Sequence, residues 1–241
     1  MEPFYNPPSL IRRILIDAMK TGQYANCHQL PSEKELSEKL NVSRTMLRDV
    51  LAALEREGLI TRRHGVGTII NRRILELSCR MDIETEFLDM IRQSGFTPSV
   101  RSIRVSTAQA SDKTAQLLQL TPGSLVLQVE RVCAADETPA IYCCDVIPVS
   151  LIQKNYTIDH LRAPIFSFLH DFCGIDPCMD VTTVRPAVAD AALSEMLQVP
   201  PGSPLLNLEE LDLDQNGAPV FLSSQYFADG IFQHTVIRKK L

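Results

Sequence analysis

Between Leu30 and Ile70 the chain sets out two capped helices, a tight turn and a glycine-tipped basic hairpin in unbroken order. That order restricts the fold more than any other stretch of its 241 residues. Ser32 is followed three residues later by Glu35, the reciprocal pair of a capping box. The spacing predicts a helix from there to about Leu40, burying Leu36 and Leu40. Asn41-Val42-Ser43 reads as a tight turn, with Ser43 the cap of a further helix over 44–58. Met46, Leu47, Val50, Leu51 and Leu54 give that helix an apolar face, and Gly58 ends it as a left-handed cap. An earlier helix is expected at about 9–21, with Ser9 as its cap and an apolar periodicity through Leu10, Ile11, Ile14, Leu15, Ala18 and Met19. Leu59 to Arg63 and Val66 to Ile70 are β-prone, and His64-Gly65 between them makes a hairpin tip.

Two helices joined by a short turn match a helix-turn-helix. Arg44, Thr45 and Arg48 point away from the apolar face, in the first turn and a half of the second helix of the pair. That end of a recognition helix enters the major groove, where an arginine can donate two hydrogen bonds to guanine O6 and N7. Ser43, Thr45 and the helix N-terminus suit phosphate oxygens, and Lys34 can add a backbone contact. Arg62, Arg63 and His64 flank Gly65, and a glycine tip can lie along phosphates or enter the minor groove without side-chain obstruction. The expected partner is double-stranded DNA.

A formal net charge of −5 argues against that partner only while the chain is taken whole. Residues 1–75 hold 12 Lys and Arg against 8 Asp and Glu, a balance of +4, and residues 76–241 hold 12 against 21, a balance of −9. Only the first part is suited to a polyanion. No stretch approaches the ~18 uncharged apolar residues of a membrane helix, and the start lacks the order of a signal peptide, so no membrane partner and a cytoplasmic location are expected. The 7 cysteines follow neither a disulfide framework nor a zinc spacing and read as reduced, mostly buried thiols.

After a linker, strand-like runs are expected near 98–106, 124–133, 139–148, 180–187, 204–213 and 218–227. Helical runs are expected near 82–94, 111–120, 159–173 and 188–198. Leu120 to Val126 and Val199 to Leu206 resemble each other, and each sits between a short helix and a long strand whose following turn contains a proline. An α+β domain built from two related helix-turn-hairpin units follows.

The runs Leu30 to Ser37, Val42 to Arg48, Leu54 to Ile60 and His64 to Thr68 closely resemble the winged helix-turn-helix of GntR-type bacterial transcription regulators. The resemblance implies DNA contacts from Lys34, Arg44, Thr45, Arg48, His64 and Gly65. Asn26-Cys27-His28 departs from the pattern, which has a glycine there. From about 85 to 238 the chain is similar to the UTRA effector domain of the HutC subgroup, through Leu118 to Gly123, Val129-Glu130-Arg131, Asp136 to Pro139, Val146-Ile147-Pro148 and Gly202 to Leu206. The implied fold is a two-domain α+β chain: an N-terminal winged helix-turn-helix over 1–72, a linker over 73–84, and over 85–241 a chorismate-lyase-like antiparallel sheet with flanking helices that holds an effector and dimerises.

By the same resemblance Arg131 is the arginine that grips an oxyanion, a role its planar fork suits. An alternative reading pairs it with a nearby acid. Cys133 and Cys143 stand where the family often has an arginine and a glutamate, Pro164 where it has a serine, and Phe221 where it has a glutamate. A pocket so lined is less polar, so the expected effector is not an amino-sugar phosphate. It is more apolar, or held mainly through Arg131, Ser223 and Tyr226. The resemblance implies a metabolite-responsive repressor, a homodimer whose two heads read a palindromic operator, with no cofactor beyond the small-molecule effector. The chain has no nucleophile elbow, P-loop, dinucleotide fingerprint or His-x-x-x-His pair, so no enzyme activity is expected. A redox- or metal-responsive regulator using Cys143, Cys144, Cys173 and Cys178 is the alternative. Adjacent residues on a strand face opposite ways, which sets Cys143 and Cys144 apart.

Overall fold

A computed structural model describes residues 7–239, which divide into two compact units, one over 7–82 with 235–239 and one over 83–234. In the first, α1 (Pro8–Lys20), α2 (Glu33–Leu40) and α3 (Arg44–Arg56) precede the antiparallel hairpin of β1 (Ile60–Arg63) and β2 (Gly67–Ile70). Ile11, Leu15, Met19, Leu36, Leu47, Leu51, Leu54, Ile60 and Ile70 form their common core. Burying each such side chain contributes ~1.5–3 kcal/mol, enough to hold short helices that would be marginal alone. The hairpin is widened by residues 28–30: Ile70 N–H donates to the His28 carbonyl and Leu30 N–H to the Thr68 carbonyl, each at 2.9 Å. Pro7, not Ser9, precedes the first turn of α1; Pro8 needs no hydrogen-bond partner there because it has no N–H. The stretch expected as a linker begins with a further helical turn, α4 (Arg72–Leu75), whose Leu75 enters the core. Lys239, expected in the effector domain, donates to the carbonyls of Glu55 and Arg56, the orphan acceptors at the end of α3.

The second unit is a six-stranded antiparallel sheet of β3 (Pro98–Gln109), β4 (Leu125–Ala135), β5 (Thr138–Pro148), β6 (Met179–Val188), β7 (Pro204–Leu213) and β8 (Pro219–Ala228), in spatial order β3-β4-β5-β8-β7-β6. It consists of two strand-helix-hairpin repeats meeting at β5 and β8, with α6 (Asp112–Leu117) in the first and α8 (Ala191–Leu197) in the second. The repeats correspond residue by residue at a fixed offset. Ser111 and Asp190 cap the two helices through their side chains. Gln119 and Gln198 end them at φ +52° and +55°, and Gly123 and Gly202 turn the chain at φ +79° and +82°. Ala110 N–H bonds the Ser124 carbonyl just as Ala189 N–H bonds that of Ser203.

The expected helix near 82–94 is confined to α5 (Phe87–Gln93). The one near 159–173 is broken into a 3-10 turn at Ile158–Leu161, the short α7 (Ile165–Phe168) and a π turn at Leu169–Cys173. Pro164 is the cause, since it offers no N–H and keeps the residue before it out of helical geometry. These turns place Leu161, Ile165, Phe168 and Leu169 on one face of the sheet, against Leu127, Val129, Ile147 and Phe221.

Candidate nucleic-acid interface and effector cavity

Ser32 and Glu35 form the expected capping box, and Asn41 ends α2 in the left-handed region at φ +51°. Two residues on, Ser43 Oγ accepts the Met46 N–H at 3.1 Å and starts α3. The corner thus rests on local hydrogen bonds that leave the outer face of α3 free. Leu47 is fully buried while Arg44, Thr45 and Arg48 are exposed, the alternation expected of a helix read from outside. Arg48 Nε reaches Glu33 Oε2 on α2 at 2.7 Å. Lys34 is exposed in the first turn of α2. These residues and Ser43 surround one corner.

At the hairpin, Arg63, His64 and Gly65 are exposed, and Gly65 adopts φ +74° with nothing within 4 Å of where a Cβ would stand. Arg62 behaves differently from its neighbours. Its Nε meets Glu55 Oε2 at 2.8 Å and its backbone N–H donates to Glu55 Oε1 at 2.7 Å, which pins β1 to α3. Arg72 was not foreseen: its guanidinium donates to the carbonyls of Met19, Tyr24 and Cys27, closing the end of α1 and the loop after it. Its one legible sign is an arginine just ahead of the apolar pair Ile74-Leu75.

In the sheet of the second unit, pairing puts Arg131 opposite Cys143, and Asp145 opposite Ser223. Arg131 is 3% exposed, and its Nη2 donates to Asp145 Oδ2 at 2.7 Å and its Nη1 to the Ala163 carbonyl at 3.1 Å. The alternative reading of Arg131, an ion pair with an acid, is therefore the observed one, although the pair is buried rather than on a surface. Burial is the largest influence and works against the guanidinium charge, but the Asp145 carboxylate, together with Cys143 and Cys133, outweighs it and holds Arg131 above its ordinary range. Ser223 Oγ donates to the other Asp145 oxygen at 2.7 Å, and Gln225 Nε2 bonds both Ser223 Oγ and Glu210. One hydrogen-bonded chain thus crosses β4, β5, β8 and β7.

Phe221 is buried among the apolar residues beneath α7, its ring 5.9 Å from Phe166. Cys133 and Cys143 are buried, and Cys133 is pushed up to about 11 and Cys143 well above its ordinary value, chiefly by burial. Tyr226 does not join this set. It stacks on Tyr142 at 6.2 Å and packs with Leu205 and Leu197 on the opposite face of the sheet, because three residues along a strand reverse the side.

The face carrying Arg131 is not the less polar surface expected from its thiols and phenylalanine. Asp180 stands opposite Asp212, and Glu210 is on the same side as Asp212, two residues along β7. Glu84 and Glu86 line a cavity of about 210 Å³ with Phe166, Asp176 and Pro177. Burial, reinforced by neighbouring carboxylates, raises Glu210 to about 8 and Asp212 to about 9; Glu86 is raised to about 7 by burial despite the Arg131 charge.

Of the other thiols, Cys144 and Cys173 are both pushed up to about 11, chiefly by burial, and Cys178 is exposed. Redox sensing uses thiols whose values are lowered, so the raised ones do not favour the cysteine alternative. Among the described residues no three His, Cys, Asp or Glu side chains are grouped to hold a metal ion, and no helix is long and apolar enough to cross a membrane.

Two family models match the chain: bacterial regulatory proteins of the gntR family over residues 9–70, and the UTRA domain over residues 93–232. The chain is 25% identical to the HTH-type transcriptional repressor NagR of Bacillus subtilis over 199 residues, 83% of this chain and 81% of that one. It is 26% identical to the HTH-type transcriptional regulator GgaR of Escherichia coli over 216 residues, 90% of this chain and 84% of that one. Its fold is that of the possible transcriptional regulator YydK of Bacillus subtilis, with a TM-score of 0.76 at 17% identity, covering 96% and 99% of the two chains. PhnF of Mycobacterium smegmatis gives a TM-score of 0.61 at 22% identity, covering 96% of this chain and 100% of that one.

Proposed function

The chain belongs to the UTRA-domain family, with a gntR-family DNA-binding domain ahead of the UTRA domain, and from that membership we propose that it is a sequence-specific transcription repressor whose hold on its operator is controlled by a small molecule bound in the C-terminal unit. The observation that carries the proposal is the corner at Ser43, where a side-chain cap starts α3 and leaves Arg44, Thr45 and Arg48 exposed over its first turn and a half. An arginine there can bond a guanine edge in the major groove, and the cap region can take a phosphate. The repressor NagR and the probable fructoselysine utilization operon transcriptional repressor of Escherichia coli, the latter 25% identical over 219 residues, support repression as the sense of control.

The protein acts as a cytoplasmic homodimer on a palindromic operator, because one winged head reads few base pairs and two-fold symmetry doubles the site. Lys34, Ser43, Arg44, Thr45, Arg48, Arg63, His64 and Gly65 meet DNA, while Arg62 holds the hairpin against α3. Arg131 and Ser223 orient the effector's surroundings through Asp145, Phe221 supplies an apolar wall, and Cys133 and Cys143 fill the sheet beside them. No cofactor and no catalytic step are part of this function. Effector binding changes operator affinity only by the difference in its affinity for the two arrangements of the heads.

The test is selection of duplexes from a random pool by the purified full-length protein, followed by a gel shift. A symmetric consensus retained by two copies of the chain is the expected result. Recovery of unrelated sequences, or of none, would remove the proposal.

A further inference from the structure

The sheet face beneath α7 gathers more carboxyl groups than its one arginine can pair, and burial favours the protonated form of the innermost. Arg131 already bonds Asp145, which leaves Glu84, Glu86, Asp180, Glu210 and Asp212 facing one another without a cation of their own. They come from three places: the segment before α5, the edge strand β6 and its neighbour β7. Like charges placed directly opposite in a sheet are destabilising, and here Asp180 and Asp212 are register partners. Asp212 is fully buried, yet neither of its carboxyl oxygens has a hydrogen-bond partner, and Glu86 Oε1 is likewise buried without one.

Such groups are costly unless something completes them. The geometry shows where it would enter. Glu84 and Glu86 line the cavity, and so does Phe166, whose ring packs on Phe221, the register partner of Asp212. Glu84 is exposed, whereas Glu210 is half-buried and Asp212 enclosed, both on the sheet rather than in the cavity wall. The cavity also has Asp176 at its edge, bonded to His170 at 2.8 Å.

We infer that this cavity binds an organic cation, a ligand presenting an ammonium or guanidinium group to Glu84 and Glu86, on the acidic face that also carries Glu210 and Asp212, and that it is poorly suited to a phosphorylated one. The inference rests on the reading of the C-terminal unit as an effector domain and names the class of effector. An ammonium offers three donors and a guanidinium five, and neither accepts, which matches Glu86 Oε1, the buried cavity-lining oxygen left without a donor. A phosphate dianion would bring two more negative charges to a site that has no unpaired arginine to receive them. Phe166 in the cavity wall gives the apolar stem of such a ligand a surface to lie on. The Arg131 guanidinium and the Phe166 backbone N–H are each engaged by a carboxylate already.

The experiment is calorimetric titration of the full-length protein with putrescine and agmatine, against 1,4-butanediol and glucose 6-phosphate as the neutral and anionic probes. Saturable binding of at least one amine, absent for the diol and the phosphate, is expected. Glu84→Gln should weaken it by about tenfold or more, the loss of one hydrogen bond to a charged group. Glu84 is exposed, so that variant folds, and circular dichroism verifies it. Binding of glucose 6-phosphate in preference to the amines, no amine binding at millimolar concentration, or amine binding indifferent to Glu84→Gln would each overturn the inference. A gel shift on the selected duplex is run in parallel. DNA binding with no amine response removes only the cation. Amine binding with no DNA binding removes the regulator reading and leaves the cavity's preference standing.

Discussion

Arg48 Nε lies 2.7 Å from Glu33 Oε2, so the arginine at the reading end of α3 is held by the first turn of α2. The pair is exposed and screened by solvent, so it is weak enough to open when a guanine edge is offered. Arg44→Ala and Arg48→Ala are each expected to abolish the gel shift of the selected duplex while leaving the circular dichroism spectrum unchanged. Glu33→Gln, which only releases Arg48, should retain the shift. Wild-type shifts from both arginine variants would show that α3 does not read DNA.

Lys34 offers a charge without a base-reading geometry. Lys34→Ala should weaken binding to the selected duplex and to unrelated DNA alike, and lower the slope of log affinity against log salt by about 1. Filter binding over a salt series measures both. A loss confined to the selected duplex would instead assign Lys34 to base contact.

Arg131 and Asp145 are 4% and 1% exposed at their side chains. Asp145→Ala leaves a buried guanidinium unpaired and should destabilise the second unit by about 3–5 kcal/mol in urea unfolding. Replacing both, Arg131→Met with Asp145→Leu, should recover most of that loss, since a buried pair exchanged for apolar side chains of similar volume is often neutral. A double variant as unstable as the single one would mean that the hydrogen-bonded chain through Ser223 and Gln225, not the charge pair, sets the stability.

The raised values of Glu210 and Asp212 make stability depend on pH. Both hold their protons more tightly folded than unfolded, so the unfolded chain releases them first as pH rises from about 4. Stability should therefore fall between about pH 4 and the folded values of about 8 and about 9. The groups facing them are Glu84 before α5, Asp180 on β6 and Asp145 on β5, all carboxyls that push in the same direction, with Arg131 on β4 already paired to Asp145. Differential scanning calorimetry of the full chain should give a lower Tm at pH 8 than at pH 6, and Asp212→Asn should flatten the trend. A Tm that climbs with pH through this window contradicts the assignment.

How much of the molecule the sequence disclosed varies from element to element. The corner at Ser43 was legible because its hydrogen bonds close within three residues: Ser32 with Glu35, and Ser43 with Met46. The two repeats were legible for the same reason, since Gly123 and Gly202 answer to a backbone angle that local chemistry demands. The split between Ser223 and Tyr226 was also within reach, as an odd separation along a strand reverses the face. The break at Pro164 is just as local, but the apolar run on either side of it carries a helical period that masks it.

Arg131 and the acids lie beyond that horizon. Its partner Asp145 sits on the neighbouring strand, and Glu84, Asp180 and Asp212 are drawn together from segments far apart in the chain. The order of amino acids settled where helices begin, where strands turn and which end of the chain could meet a polyanion, because caps, alternation and charge act over a few residues. Which side chains became enclosed, and so which charges lost their water and needed partners, was decided only when the strands took their register. Burial belongs to the assembled sheet and not to any one of its strands.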